Sequence, residues 1–323
     1  METLSLARNA MATRFEIVLH GENLSRLRGA AEEALAEVER IEAQLSLFRP
    51  SSEIARINAR AAFEPVRVSP VVFRLLEHAR QLHRESGGVF DITLAPLLRC
   101  WGFLGGSGSM PDPAEVALVR RHVGMEHVIL DGDNLTVCFD VEGVMLDLGA
   151  IGKGHAIDQA VATLREAGVA SALLHGGTST VYGIGTTPGG GPWKVAVESP
   201  PDSAGPAWYA SVPLRDEALS VSAVWGKFFT HEGKTFGHVL DPRAGAPVSG
   251  SVLAAVALPS ATETDALSTA LLVHGAAGNP IIASLRPGMR TLVVDRDPAN
   301  SLPTLTGIAI KMRESIEKTG ENG

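Results

Sequence analysis

Phe15, Ile17 and Leu19 recur at every second position over residues 13–19, the period of a strand that buries one face. The spacing then lengthens. Leu24, Leu27, Ala31, Leu35, Val38, Ile41 and Leu45 return at intervals of three and four residues, which predicts an amphipathic helix. A second helix is bounded by Ser69 as N-cap, Pro70 at its first position and Gly87 beyond its end, and a third, shorter one by Asp112-Pro113 and Gly124.

Residues 127–130 and 135–139 are β-rich runs separated by Asp131-Gly132-Asp133-Asn134, turn chemistry that predicts a hairpin. Residues 154–167 read as helix. Strand-like runs follow at 171–174, 193–197, 207–212, 235–240 and 251–258. A strong helix over 260–274 ends at Gly275, and 291–295 is a late strand. Strands and helices alternate irregularly with hairpins between them. The expected class is therefore α+β, with mixed and antiparallel sheets packed against helices, rather than a doubly wound parallel sheet. Residues 185–191, with Pro188 inside them, are the expected mobile loop or lobe junction, and the polar stretch after Arg313 is expected to fray.

A chain of 323 residues with 45% hydrophobic residues can bury one large domain or two closely packed lobes. Its formal charge of −8 argues against a protein that covers nucleic acid with positive charge, so an anionic ligand needs a local cationic device. Cys100 and Cys138 are too few for a disulfide scaffold and read as buried thiols. No signal segment is visible at the N-terminus, and no run reaches the roughly 18 apolar residues of a membrane helix. A cytoplasmic location without a transmembrane segment is the expectation.

Several short motifs carry candidate chemistry. Gly149-Ala150-Ile151-Gly152-Lys153-Gly154 reads either as a phosphate-binding turn, with Lys153 neutralising charge, or as a plain strand-to-helix turn; it is not a Walker A sequence. Asp265 and Thr269 stand four apart in the 260–274 helix, on one face. They are hard oxygen donors suited to Mg²⁺, or else a carboxylate complementing the helix dipole and a hydroxyl bonded to the preceding turn. His238-Val239-Leu240-Asp241-Pro242-Arg243 reads as a strand entering an Asp-Pro turn. There His238 is either a strand residue or a proton-transfer group, and Arg243 either a solvated residue or a charge stabiliser. Asp91, inside the apolar run Val89-Phe90-Asp91-Ile92-Thr93, is costly as an unpaired core residue.

Taken in order, these segments resemble the ApbE family over residues 11–275. Met11-Ala12-Thr13-Arg14-Phe15 is similar to the family's opening Met-Gly-Thr strand, and Ser46-Leu47-Phe48 with Ser52-Glu53-Ile54 and Asn58 to its next block. Val89 through Thr93 and on to Trp101-Gly102-Phe103, then Asp147 through Gly154 with Asp158, then His238 through Gly245, then Asp265-Ala266-Leu267-Ser268-Thr269 complete the match. Two segments depart from it: Leu174-His175-Gly176-Gly177-Thr178 stands where the family has Asn-x-Gly-Gly-Asp, and Val221-Ser222-Ala223 where it has Thr-Ser-Gly.

The resemblance implies one catalytic domain of T-fold-related architecture over residues 1–313, with 314–323 as a tail. The implied activity is that of a magnesium-dependent FAD:protein FMN transferase, which cleaves FAD, attaches FMN through a phosphoester to a Thr or Ser of an acceptor flavoprotein and releases AMP. The rivals are an FAD pyrophosphatase giving FMN and AMP, and a non-catalytic FAD carrier. Implied flavin contacts are Met11, Phe48, Val89, Phe90, Asp91, Asp147, Lys153 and Val239. Implied magnesium ligands are the Ala150 carbonyl, Asp265 and Thr269, with His238 as the family's candidate catalytic residue; Lys153 and Arg243, read from their own motifs as charge-stabilising groups, complete the expected catalytic set.

Overall fold

The computed structural model describes residues 2–200, 207–296 and 303–312, so the expectation for the tail at 314–323 lies outside the described residues. Eight strands form one antiparallel sheet, and their spatial order is their order in the chain: Glu2–Ala10, Thr13–Gly21, Ser171–Gly176, Thr180–Gly185, Glu217–Ala223, Ser251–Leu258, Arg290–Asp295 and Thr304–Ile308. The expected α+β class is what the chain adopts.

Ser251–Leu258 is buried at every residue, because neighbouring strands flank it and a helix covers it. A short continuous apolar run is the mark of such a strand. The covering layer is a row of three helices. Leu24–Leu45 packs on Gly152–Glu166, which packs on Ala261–Ser284, and the last lies on the strands 217–223, 251–258 and 290–295. Leu27, Ala31, Leu35, Val38, Ile41 and Leu45 bury the first helix's inner face as their spacing requires; Leu24, at the first position, stays exposed.

Four strands of the sheet escape a reading by periodicity, Thr304–Ile308 among them. Glu2–Ala10 is an edge strand with small, polar and charged residues around its two leucines. Thr180–Gly185 contains Gly183 and ends at Gly185. Glu217–Ala223 turns Ser220 toward the helical layer, where it is fully buried, so its inward face does not look hydrophobic.

The 127–139 hairpin forms with Leu130 opposite Val137 and Asp131 opposite Thr136. The helix expected to stop at Gly275 does leave the helical conformation there, at φ 68° and ψ −165°, and a second helical segment runs on from that kink to Ser284. Taken together the two segments are long and apolar enough to cross a membrane, but Leu267, Ala270, Leu271 and Leu272 are buried in the core.

The strand expected over 235–240 is broken. Phe228–His231 and Lys234–Gly237 form a hairpin whose turn residues Glu232 and Gly233 both have positive φ, and a separate short strand starts at Leu240. His238 and Val239 thus sit in the gap between two strands. The two cysteines are free and half-buried rather than buried.

Candidate active site

One end of the 152–166 helix is pressed against the start of the 261–284 helix. A Cβ on Gly154 would collide with the Ala261 carbonyl oxygen and come within 2.8 Å of Asp265 Cβ, so only glycine permits this approach. The Gly154 N–H donates to Asp265 Oδ2 at 3.0 Å. One turn further on, Asp158 caps the partner helix: its carboxylate accepts from Ala261 N at 2.8 Å, Thr262 N at 2.9 Å, Thr262 Oγ1 at 2.7 Å and Ser260 Oγ at 3.0 Å. A carboxylate at a helix N-terminus also complements the macrodipole.

The glycine-rich segment at 149–154 is therefore a packing joint. Its amides are used internally: Gly149 N–H goes to Asp147 Oδ1 at 2.8 Å, and Ile151 and Gly152 N–H both go to the Leu148 carbonyl. An amide cradle for phosphate is not what these three groups make.

What the joint positions is a cavity of about 830 Å³, at the large end of ligand sites, whose wall includes Asp91, Asp147, Ala150, Lys153, His238, Val239, Asp265 and Thr269. Eight of the residues singled out from sequence thus meet around one space. Asp265 and Thr269 face it from consecutive turns of the helix, with Asp265 4% exposed. Lys153 Nζ donates to the Gly149 carbonyl at 3.0 Å and stands 4.0 Å from Asp265 Oδ1.

Asp147 is held by burial above the ordinary carboxylate range, against the opposing pull of the Gly149 N–H and the Lys153 charge. Burial raises Asp91 too, partly offset by Thr93, whose Oγ1 and N–H donate to Asp91 Oδ1 at 2.6 and 2.7 Å. Its carboxylate is hydrogen-bonded within its own turn, which resolves the cost of placing it in an apolar run.

His238 has a defined tautomer. Its Nδ1 lies 3.2 Å from the Lys227 carbonyl, which only accepts, so Nδ1 carries the proton and Nε2 keeps its lone pair. Burial lowers the imidazole's pKa, with the Lys227 carbonyl pulling the other way. A neutral ring with a free Nε2 is the form a proton acceptor needs. Beneath it Leu97, Trp101, Phe103 and Leu240 form a satellite core, roofed by Phe229 stacked on Phe236 at 5.3 Å, and Phe103 meets the His238 ring edge-on at 6.5 Å.

The remaining sequence-derived residues stand elsewhere. Arg243 does not line the cavity, because its guanidinium is turned back on its own loop to grip Asp241 at 2.8 to 3.3 Å. Val89 and Phe90 are 1% exposed, with side chains in the core. Phe48 is 71% exposed outside the cavity wall. Met11 takes φ 51° and donates its N–H to Glu42 Oε1 at 2.8 Å, also away from the wall.

Lys194, Glu198 and Trp225 line the cavity without having been marked in the sequence. Lys194 and Glu198 lie on the exposed face of an ordinary alternating strand, Trp193–Glu198, which gives no local signal of a site.

Among the described residues no three His, Cys, Asp or Glu side chains gather as a metal-ligand set. A cation here would rest on one carboxylate, neutral oxygens and the ligand's own phosphates, which is the habit of Mg²⁺. Asp265 fits that role: Oδ2 is taken by Gly154, while Oδ1 accepts no hydrogen bond from the described residues. Thr269 and Ala150 bring a hydroxyl and a carbonyl to the same wall.

An amine, a neutral imidazole and buried carboxylates converging on one large cavity, over an antiparallel α+β frame, define an enzyme with a site for an anionic ligand. The chain belongs to the ApbE family, whose model matches residues 11–293. Among curated relatives it is 30% identical to the FAD:protein FMN transferase of Treponema pallidum, over 84% of this chain and 78% of that one. It is 29% identical to the protein of the same name in Vibrio cholerae, over 74% and 71%. Among solved structures it superposes on the ApbE protein of Thermotoga maritima with a TM-score of 0.83 at 28% identity, covering 91% of this chain and 94% of that one. The apo flavinyl transferase ApbE of Pseudomonas stutzeri gives 0.82 at 28% identity, covering 95% of each.

Proposed function

We propose that this chain is an FAD:protein FMN transferase that uses magnesium, moving the FMN half of FAD onto a Thr or Ser hydroxyl of an acceptor protein and releasing AMP. The observation that carries this reading is the meeting of His238, Lys153, Asp147 and the Asp265/Thr269 pair around one cavity in a member of the ApbE family.

Asp265 Oδ1, Thr269 Oγ1 and the Ala150 carbonyl would hold the cation. When bound, it neutralises charge on the pyrophosphate, which otherwise repels a nucleophile. Lys153 adds a second positive charge beside Asp265. His238 Nε2 takes the proton of the acceptor hydroxyl as its oxygen bonds to the FMN phosphorus. The bond from that phosphorus to the bridging oxygen breaks, and AMP leaves with the electron pair. The walls keep the reacting groups aligned, a contribution that can reach about 7–11 kcal/mol.

Incubation with FAD, Mg²⁺ and candidate acceptor proteins tests the reading, with AMP assayed in solution and flavin fluorescence read in a denaturing gel. The expected result is AMP together with a fluorescent acceptor band. AMP with free FMN and no band would make the chain a pyrophosphatase. FAD binding without AMP would make it a carrier.

A further inference from the structure

The seam between the 217–223 strand and the 261–284 helix is polar where a core seam would be apolar. Ser222 Oγ lies 2.8 Å from Ser268 Oγ and 3.0 Å from Thr269 Oγ1, and Ser268 Oγ lies 3.0 Å from the Asp265 carbonyl oxygen. Three hydroxyl protons serve these three short contacts, and the direction of each is fixed from one end. The Asp265 carbonyl cannot donate, so Ser268 donates to it. Ser268 is then an acceptor, and Ser222 donates to Ser268. Ser222 has no second proton, so Thr269 donates to Ser222.

The competing arrangement reverses the chain and sends the Thr269 proton to the Asp265 carbonyl. That contact is 3.4 Å, and the reversal leaves the 3.0 Å contact from Ser268 without a hydrogen. Distance therefore selects the first arrangement. In it Thr269 spends its proton on Ser222 and keeps both lone pairs, and both residues line the cavity with Asp265. A hydroxyl free to rotate would point its proton at a cation part of the time; this one has its proton committed to Ser222 and its lone pairs left free.

We infer that Ser222 is a positioning residue, which fixes the Thr269 hydroxyl as a lone-pair donor toward a divalent cation bound with Asp265. The inference rests on the reading that these residues hold the cation. It adds that a side chain on the neighbouring strand, outside the set of oxygens that would touch the metal, sets the strength of that binding. Partners one step behind a ligand commonly alter metal affinity by about 10–100-fold when removed.

The test is titration of the full chain with Mn²⁺, followed by electron paramagnetic resonance, with FAD present and absent. Ser222→Ala should weaken Mn²⁺ binding about 10–100-fold. Ser222→Thr, which keeps the hydroxyl, should recover most of it. In the Thr269→Ala background Ser222→Ala should add little, because its effect passes through Thr269. Ser268→Ala serves as a second probe, since it removes the acceptor that orients Ser222, and it should weaken binding less than Ser222→Ala. Thermal melting of each variant shows that the fold persists.

Wild-type Mn²⁺ affinity in Ser222→Ala, equal loss in Ser222→Thr, or losses that add to that of Thr269→Ala would each overturn the inference. So would absence of Mn²⁺ binding by the wild-type protein. Mn²⁺ bound with the expected pattern but without FMN transfer would sink the transferase reading and leave this one standing. FMN transfer with Mn²⁺ affinity indifferent to Ser222 would do the reverse.

Discussion

The Gly154 N–H donates to Asp265 Oδ2 at 3.0 Å, so the backbone of one helix orients the carboxylate at the start of another. Position 154 serves twice, through its backbone N–H and through the absence of a side chain. Gly154→Ala should force the two helices apart and cost about 1–3 kcal/mol by overpacking. It should also weaken divalent-cation affinity. Thermal melting and Mn²⁺ titration on one preparation check both, and a wild-type melting temperature would contradict the packing claim.

Asp265→Asn tests the carboxylate with little change in shape. The amide oxygen can still accept from Gly154, so the melting temperature should stay near wild type. Cation binding and FAD cleavage should fall by two orders of magnitude or more, on the order of what loss of a key electrostatic stabiliser costs. Full activity in EDTA would remove the metal from the mechanism.

His238→Gln should leave FAD affinity close to wild type and slow transfer about 10²–10⁴-fold, the usual span for a lost acid–base group. Burial holds the imidazole below its ordinary pKa, so the base is already unprotonated at neutral pH. In the wild type the rate should decline only in mildly acid solution, below about pH 6.5. The pH–rate profile should lose that limb in the variant. A limb that persists would assign the proton transfer to another group, with Asp147 next in line.

Acid stability should report on Glu263. Burial opposes its ionisation, but hydrogen bonds from His78 and the Arg286 guanidinium prevail and pull its pKa from 4.5 to about 2. A carboxylate depressed in the folded state contributes stability above its unfolded pKa and loses it as pH falls through the folded value. Glu263→Gln should therefore lower the melting temperature at pH 7, and the gap to wild type should close between about pH 4.5 and pH 2. A constant gap across that range would show that packing, not charge, is what Glu263 supplies.

Much of this architecture is written in local pattern. The 24–45 helix shows its buried face in its spacing, and Asp131-Gly132-Asp133-Asn134 announces its hairpin. Asp265 and Thr269 were legible as a pair because helical spacing alone puts them on one face. His238 was not legible in its setting, since the tautomer depends on a carbonyl eleven residues away that a hairpin brings back. Arg243 shows the opposite failure: a cation close in sequence to the candidate histidine is held by Asp241, a contact within its own turn. Ser220 and Ser222 obscured their strand because the face they turn to the helix is hydrogen-bonded rather than greasy. Lys194 and Glu198 reach the cavity only through the placement of a separate two-stranded hairpin, which no short window records.

The sheet has its own history in time. Its strands lie side by side in chain order, yet the second and third neighbours, Thr13–Gly21 and Ser171–Gly176, are separated by a segment of roughly 150 residues, a long loop to close before any pairing rewards it. On a ribosome adding about 5–20 residues each second, the first hairpin must wait on the order of ten seconds for its partner to emerge. During that interval the inner edge of Thr13–Gly21 is an unpaired template, open to any other nascent strand. Asp147, Lys153 and most of the 24–45 helix's packing surface are made inside the same interval, so the intervening segment has time to organise first and deliver the late strands to a half-built site. Synthesis order thereby makes the seam between the 217–223 strand and the 261–284 helix, with its hydroxyl chain, one of the last contacts to close.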